Sequence, residues 1–138
     1  MNRVVHFEIH AIDQPKLSKF YTEIFGWQIE EMKLPAGPLP EENRYWLIYT
    51  APKGSKEPGI DGGMVKRRGP APKGGEPKTS FICTVDVESV DGHLKKITAA
   101  GGKVVTAKMP VMGVAWLAYC ADPEGNIFGI YQDDKNAK

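Results

Sequence analysis

Three side chains that could do chemistry alternate along one short apolar segment near the start of the chain. His6, Glu8 and His10 take every second position of Val4–Ala11. Successive side chains of a strand point to opposite faces, so we expect all three on one face of a sheet. Imidazoles and a carboxylate placed together can bind a metal ion, move protons or hydrogen-bond a ligand. A half-solvated sheet face that merely carries polar residues is the structural alternative.

Glu8 is the candidate catalytic residue of this group. A carboxylate in the middle of a strand is costly to bury unless it is paired or hydrated. We therefore predict that it either pairs with a neighbouring histidine or acts as a general base on an open sheet face.

A helix must follow this first strand. Asp13 is a suitable N-cap, Pro15 fits the first turn, and an apolar stripe continues to Phe25. Gly26 is predicted to end the helix, because glycine readily takes the left-handed conformation of a helix C-terminus.

The same order of elements recurs in the second half. A strand is predicted over Thr79–Val87, followed by a helix that Ser89 caps and Gly101–Gly102 closes. Further strands are predicted at Trp27–Lys33, Arg44–Thr50, Ile60–Arg67, Lys103–Lys108, Val114–Cys120 and Asn126–Gln132. The three proline-containing segments 34–43, 51–59 and 68–78 are predicted loops.

The chain of 138 residues is thus predicted to be a single α+β domain of two βαβββ modules. The first module covers about residues 3–67 and the second about residues 79–132. Each helix should pack on the face that carries Val5, Phe7 and Ile9, or Phe81, Cys83 and Val85. The other face should carry His6, Glu8, His10, Ser80, Thr84 and the row Tyr45, Leu47 and Tyr49. This face is a candidate ligand cup, with Tyr49, Ser80 and Thr84 as further ligand-binding residues.

Composition and charge exclude several classes of protein. The formal net charge of +1 argues against binding to nucleic acid or to an anionic membrane. No apolar run is long enough for a membrane-spanning helix, and the first residues lack the apolar core of a signal peptide. Cys83 and Cys120 lie in apolar, strand-like segments and are predicted to be reduced. These features predict a cytoplasmic location.

Several segments together resemble the vicinal oxygen chelate superfamily, which contains glyoxalase I, bleomycin-resistance proteins and extradiol dioxygenases. They are Val4–Ile9, Phe20–Tyr21, Phe25–Trp27, Ala100–Val104 and Asp122–Asn126 with Phe128. The resemblance runs from about Arg3 to Gln132 and is closest to the small single-domain members. It implies paired βαβββ modules that curl into a half-barrel, often within a homodimer.

The resemblance also implies a divalent metal, Zn, Ni, Fe or Mn, held by residues of the first and last strands of the modules. His6 matches one ligand position. Ser80 and Gly129 fall on two others and are poor matches, and Gly62–Arg67 contains no Asp, Glu or His. A catalytic metal needs about three protein ligands, so no bound metal is expected.

Three hypotheses for function follow. In the first, the protein binds a small molecule without a metal. In the second, it is a metal-dependent lyase, isomerase or dioxygenase whose metal is held by His6, Glu8 and an unexpected third group. The third possibility is a structural or regulatory role with a vestigial cup. The identity of the substrate is not encoded in any recognisable motif.

Overall fold

A computed structural model of the protein describes residues 3–73 and 81–138. Its contacts divide the chain into two compact units, Met1–Ala71 and Pro72–Lys138. Each unit contains one α-helix and one four-stranded sheet. The predicted α+β class is therefore confirmed, and the two units are described in turn.

The first unit has the predicted βαβββ order with a small insertion. Its elements are β1 (Phe7–Ala11), α1 (Gln14–Phe25), β2 (Gln28–Glu31), β3 (Lys33–Leu34), β4 (Gly37–Pro38), a 3-10 helix (Glu41–Asn43), β5 (Tyr45–Tyr49) and β6 (Gly62–Lys66). The sheet order is β1-β6-β5-β2, with β1 parallel to β6 and the other pairs antiparallel. The segment 34–43, predicted as a loop, instead holds the β3–β4 hairpin and the 3-10 helix.

Helix α1 begins and ends where its sequence predicts. The Asp13 side chain accepts a hydrogen bond from the Lys16 backbone N–H at 3.0 Å, and Gly26 closes the helix with φ of 70°. One stripe of the helix is buried: Leu17, Phe20, Tyr21 and Ile24. The Tyr21 ring stacks on Trp27 with their centroids 5.4 Å apart, so the helix and the entry to β2 share one aromatic cluster.

A buried amide ties the first turn of α1 to the sheet. Gln14 is 3% exposed, and its Nε2 donates to the carbonyl oxygens of Arg44 at 2.9 Å and Met64 at 3.0 Å. Burying a primary amide is unfavourable unless it is hydrogen-bonded, and both of its N–H groups are used here. This contact positions the start of β5 and the middle of β6 against the helix.

The second unit repeats the topology of the first. Its elements are β7 (Thr84–Asp86), α2 (Val90–Ala99), β8 (Lys103–Val111), β9 (Ala115–Ala121) and β10 (Ile127–Asp133). The sheet order is β7-β10-β9-β8, with β7 parallel to β10. Ser89 caps α2 by accepting from the Gly92 N–H at 3.1 Å, as predicted. Neither α-helix in the described residues has the length and apolar character that a bilayer span requires.

Both first strands are shorter than predicted. Val4 and Val5 precede β1 and are 70% and 75% exposed, and Phe81 precedes β7 and is 99% exposed. The prediction that Val5 and Phe81 pack under the helices is therefore wrong, and Cys83 is exposed as well. The physical reason is pairing: β1 has partners only from Gly62 onward, so alternation before Phe7 has no strand to bond with. Thr79 and Ser80 lie outside the described residues.

Candidate functional site

The first sheet leaves one face uncovered by α1, and this face carries the polar residues of β1. We call it the open face; it comprises Glu8, His10, Gly63, Val65, Tyr45, Leu47 and Tyr49. The register places Glu8 beside Gly63 and His10 beside Val65, while Tyr45 pairs with Val65 across β5 and β6. Glu8 and His10 are exposed, as the alternation predicts.

His6 joins this group from just outside β1. Its Nε2 is 2.8 Å from the Tyr45 hydroxyl oxygen, a side-chain hydrogen bond that links β1 to β5 across the intervening strand. The bond is possible because position 63 in that strand is glycine. A Cβ atom there would overlap the Tyr45 hydroxyl, so the phenol ring lies directly over Gly63.

The Tyr45 hydroxyl stays protonated at neutral pH. Burial raises the pKa of the Tyr45 phenol, and the negative charge of Glu8 raises it further. A neutral phenol can donate to an unprotonated Nε2 or accept from a protonated one. His6, Tyr45 and Glu8 therefore form a polar cluster that offers hydrogen bonds and one carboxylate on the open face.

The sequence indicated Tyr49 as the ligand-binding tyrosine, but the structure brings Tyr45 to the histidine. Tyr49 instead lies beneath a cation, with Lys53 Nζ 4.5 Å from its ring centroid. The same amine is 3.0 Å from Glu30 Oε1. Tyr45 lies in the same alternating row, and the register places it level with His10. Its hydroxyl reaches His6 because the ring leans along the sheet over Gly63.

A concavity of about 390 Å³ opens beside Tyr45. Its wall includes Val65 and four side chains that carry or can acquire positive charge: His10, Arg44, Lys66 and Arg68. Glu42 and Asn43 of the 3-10 helix complete the lining. His10 therefore belongs to this basic concavity, whereas the nitrogen of His6 faces Tyr45.

Thr84, the remaining described member of the predicted site, lies in the second unit and is exposed. It pairs with Gly129 in β10, just as Glu8 pairs with Gly63 in β6. A Cβ at position 129 would lie 2.6 Å from Thr84 Oγ1, so the threonine covers this glycine. Ser80 lies outside the described residues.

The matching registers identify the counterpart of His6 in the second unit. Glu8 and Thr84 both lie opposite a glycine, and each precedes a helix N-cap, Asp13 or Ser89, by the same spacing. The residue two positions before Thr84 is Ile82, an apolar side chain. The internal repeat thus supplies no second histidine.

The resemblance implies a divalent metal, and the donors in the described residues do not fit one. The Nε2 atom of His6 is hydrogen-bonded to the Tyr45 hydroxyl. Gly129 has no side chain and is covered by Thr84. Within residues 3–73 and 81–138, no three His, Cys, Asp or Glu side chains are grouped as metal ligands. Transition-metal sites usually draw on about three such groups.

A family model described as the Glyoxalase/Bleomycin resistance protein/Dioxygenase superfamily matches residues 3–130. The chain is 23% identical over 131 residues to a Mycobacterium bovis protein named "Putative glyoxylase CFP32". That alignment covers 94% of this chain and 45% of the relative, so the chain spans less than half the length of that curated protein.

Solved structures share the fold. A mutant of the fosfomycin resistance protein FosX from Listeria monocytogenes, complexed with Mn(II) and 1S,2S-dihydroxypropylphosphonic acid, matches with a TM-score of 0.68 and 16% identity. The match covers 97% of this chain and 94% of that one. A glyoxalase I mutant from Zea mays matches with a TM-score of 0.67 and 19% identity, over 99% of this chain and 46% of that one. With these folds and a family model that covers nearly all of its residues, the chain belongs to the glyoxalase/bleomycin resistance protein/dioxygenase superfamily.

Proposed function

We propose that this protein binds a small organic molecule on the open face of its first sheet, without a metal ion held by the protein. The observation that carries the proposal is the hydrogen bond of 2.8 Å between His6 and Tyr45 over Gly63. This hydrogen bond brings together a hydroxyl and an imidazole, next to the Glu8 carboxylate. Beside them, Leu47 and Val65 offer apolar surface. A few polar groups converging on an apolar wall are typical of small-molecule sites.

The same hydrogen bond supports binding without a metal. A metal at His6 Nε2 would have to displace the Tyr45 hydroxyl. In the second unit, Ile82 at the position that corresponds to His6 and Gly129 opposite Thr84 carry no side-chain donor atom. Binding through one imidazole and water is weak, because affinity depends on the number and geometry of protein ligands.

Metal analysis of protein purified without chelators tests this part of the proposal. We expect far less than one Zn, Ni, Fe or Mn per chain, and the same result for the variants His6→Ala and His93→Ala. His93 is a suitable control because it lies in α2, with Nδ1 3.0 Å from the Ser89 carbonyl oxygen. About one metal per chain that is lost in His6→Ala and kept in His93→Ala would overturn the metal-free proposal.

Ligand binding itself is tested by NMR with ¹⁵N-labelled protein and a library of small aromatic and polar fragments. We expect chemical-shift changes centred on Tyr45, Leu47 and Gly63, and weaker binding in Tyr45→Phe. Tyr131→Phe is the matched control, because it removes a tyrosine hydroxyl of the second unit that donates to Asp133 Oδ1 at 2.9 Å. Shifts confined to residues outside the open face would count against this site.

An enzyme remains the second candidate, because Glu8 lies close enough to Tyr45 to raise its pKa. In such an enzyme Glu8 would act as general base and Tyr45 as a hydrogen-bond donor to substrate. The relatives named for fosfomycin resistance and glyoxalase activity make a metal-dependent lyase, isomerase or dioxygenase the class to assay. Turnover that requires added Mn²⁺ and is abolished in Glu8→Gln would favour this candidate over simple binding.

Assembly and location belong to the same proposal. We expect a homodimer, because most soluble oligomers have twofold symmetry. We also expect a cytoplasmic protein, because both cysteines are free. Analytical ultracentrifugation and cell fractionation test these two expectations.

A further inference from the structure

We propose that the basic concavity, defined by His10, Arg44, Lys66 and Arg68, binds the oxyanion of a small organic ligand. The group is a carboxylate or a phosphate-type oxyanion, attached to an apolar or aromatic body. This inference rests on the proposed function, since the body of the ligand would lie on the open face beside Tyr45. It assigns a chemical class to the ligand and a role to the basic run Lys66–Arg68.

The charges of the lining favour an anion. Arg44, Lys66 and Arg68 are cationic at neutral pH, and the lining contains a single carboxylate, that of Glu42. The whole chain has a formal charge of only +1. Glu31 and Glu41 lie close to Arg44 and Lys66, so the attraction for an anion depends mainly on Arg68. A concave surface with one sign of charge raises the local concentration of ligands of the opposite sign.

Two of the cations have carboxylates close by, and one of them is also hydrogen-bonded. Lys66 Nζ donates to the Ile12 carbonyl oxygen at 2.7 Å and lies 3.5 Å from Glu41 Oε1. Arg44 Nε lies 3.5 Å from Glu31 Oε1. The hydrogen bond to Ile12 orients Lys66, and the nearby carboxylates neutralise part of the charge of both cations.

Arg68 is the cation available to a ligand. Among the residues that the structure describes, it has no hydrogen-bond or ion-pair partner, and its side chain is exposed. The segment that carries it is nevertheless anchored to β1. The Arg67 backbone N–H donates to the Ala11 carbonyl at 2.8 Å, and the Arg67 Nη2 donates to the His10 carbonyl at 2.9 Å. Arg68 thus directly follows a residue that is hydrogen-bonded to β1.

The geometry of guanidinium matches an oxyanion. Its planar array of N–H donors can bond two oxygens of a carboxylate or phosphate at once. The lining also includes the Tyr45 ring and the Val65 side chain, which can contact an apolar group next to the anion. A volume of about 390 Å³ suits a small molecule. His6, the one residue that matches a metal-ligand position of the family, is not part of this lining.

The test compares three ligands that share one aromatic ring: phenylphosphonate, benzoate and neutral benzyl alcohol. Binding is followed by ¹⁵N NMR of the full chain at low salt. We expect both anions to bind at least about fivefold more tightly than the alcohol, with shifts at His10, Val65 and Arg68. Salt should weaken anion binding and leave alcohol binding unchanged, because it screens exposed charges. If phenylphosphonate binds more tightly than benzoate, the ligand carries a phosphate-type group. If benzoate binds more tightly, the ligand carries a carboxylate.

Variants locate the effect. Arg68→Gln should weaken the binding of phenylphosphonate about tenfold, because the variant loses the charge-assisted hydrogen bonds of one guanidinium group. Lys19→Gln is the matched control; it removes the same charge from α1, where Lys19 lies 3.8 Å from Glu23. We expect this control to bind as the wild type does.

The remaining outcomes overturn the inference in distinguishable ways. Equal affinity for the anions and the alcohol, with shifts on the open face, would refute the oxyanion site and leave the proposed function standing. If Arg68→Gln and Lys19→Gln weaken the binding of phenylphosphonate equally, the effect arises from the net charge of the protein, and the oxyanion site is refuted. If none of the three ligands binds, the oxyanion site fails, and the fragment library decides separately whether the open face binds anything.

Discussion

At the scale of single residues, the open face owes its character to a glycine. Gly63 allows the Tyr45 ring to lie across β6, and the ring carries its hydroxyl to His6. A side chain at position 63 would compete with the ring for the same space. The glycine therefore controls whether the imidazole is bonded within the protein or available to another partner.

Gly63→Ala should break the His6–Tyr45 hydrogen bond at little cost in stability. The overlapping group is the end of a side chain that can rotate away, so we expect a loss of less than about 1.5 kcal/mol in the free energy of unfolding. The ¹⁵N and ¹³C resonances of the His6 ring should change, and Tyr45→Phe should produce the same change. If the His6 resonances are unaltered in both variants, the hydrogen bond is absent in solution.

The two thiols should differ sharply in reactivity. Cys83 is exposed, whereas Cys120 is buried in β9, and burial raises the pKa of the Cys120 thiol from 9.0 to about 11. Because the thiolate is the reactive form, a disulfide reagent such as DTNB should modify one thiol in the folded protein and two after denaturation. Cys83→Ser should abolish the fast reaction. A fast reaction that persists in this variant would show that Cys120 is accessible.

The raised pKa of Cys120 also affects stability at high pH. The unfolded thiol ionises near pH 9.0 and the folded one near 11, so the folded state binds more protons in this window. Its stabilising contribution is complete below pH 9 and is lost as the pH rises toward 11. Urea unfolding at several pH values should show a smaller decline for Cys120→Ala than for the wild type. Parallel declines would mean that Cys120 titrates alike in both states.

At the scale of elements, β1 divides its residues between structure and function. Phe7 is half-buried, with its ring 5.8 Å from that of Trp27, whereas Glu8 is exposed beside Gly63. Neighbouring residues of one strand thus lie on opposite faces of the sheet: Phe7 on the face that α1 covers and Glu8 on the open face. Substitutions at the two positions should consequently have different effects.

Phe7→Ala should lower the free energy of unfolding by about 2–3 kcal/mol, below the range for a fully buried ring, because Phe7 is only half-buried. Glu8→Gln should change it by less than about 1 kcal/mol, since it alters an exposed side chain. Urea unfolding followed by tryptophan fluorescence measures both values. A larger loss in Glu8→Gln would make Glu8 a structural partner and would remove the support for a ligand site on this strand.

At the scale of the whole molecule, the two units have one topology and different surfaces. Both sheets place their first strand beside their last, and both helices begin at a side-chain cap. The first unit has a histidine, a tyrosine and a carboxylate on its open face. The corresponding positions of the second unit include Ile82 and Thr84, so the repeat has retained the fold without retaining the polar cluster.

Because the proposed function needs no metal, chelation should leave the stability of the whole chain unchanged. A ligand that binds only the folded state raises its stability, so removing a bound metal would lower the thermal midpoint. We expect a shift smaller than about 1 °C with EDTA, measured by calorimetry, and no rise when Mn²⁺, Ni²⁺ or Zn²⁺ is added. A substantial rise with any one of these ions would indicate a specific metal site.

Local sequence features determined the helices and the class of fold. Asp13 and Ser89 cap helices as predicted, and Gly26 ends α1, because capping depends on residues adjacent in the chain. The βαβββ repeat followed from the same signals, and the motifs that resemble the superfamily agree with the matching family model. Alternation in β1 also placed Glu8 and His10 on the exposed side.

The pairing of strands that are distant in the chain could be determined only from the tertiary structure. The pairing of β1 begins at Phe7 and that of β7 at Thr84, and Val5 and Phe81, which precede these strands, are exposed. The contact between Tyr45 and His6 depends on a ring that leans across β6 over Gly63, because the register alone places Tyr45 level with His10. Hydrogen bonds between strands and the packing of side chains over them are properties of residues brought together by folding, so no local pattern could have determined them.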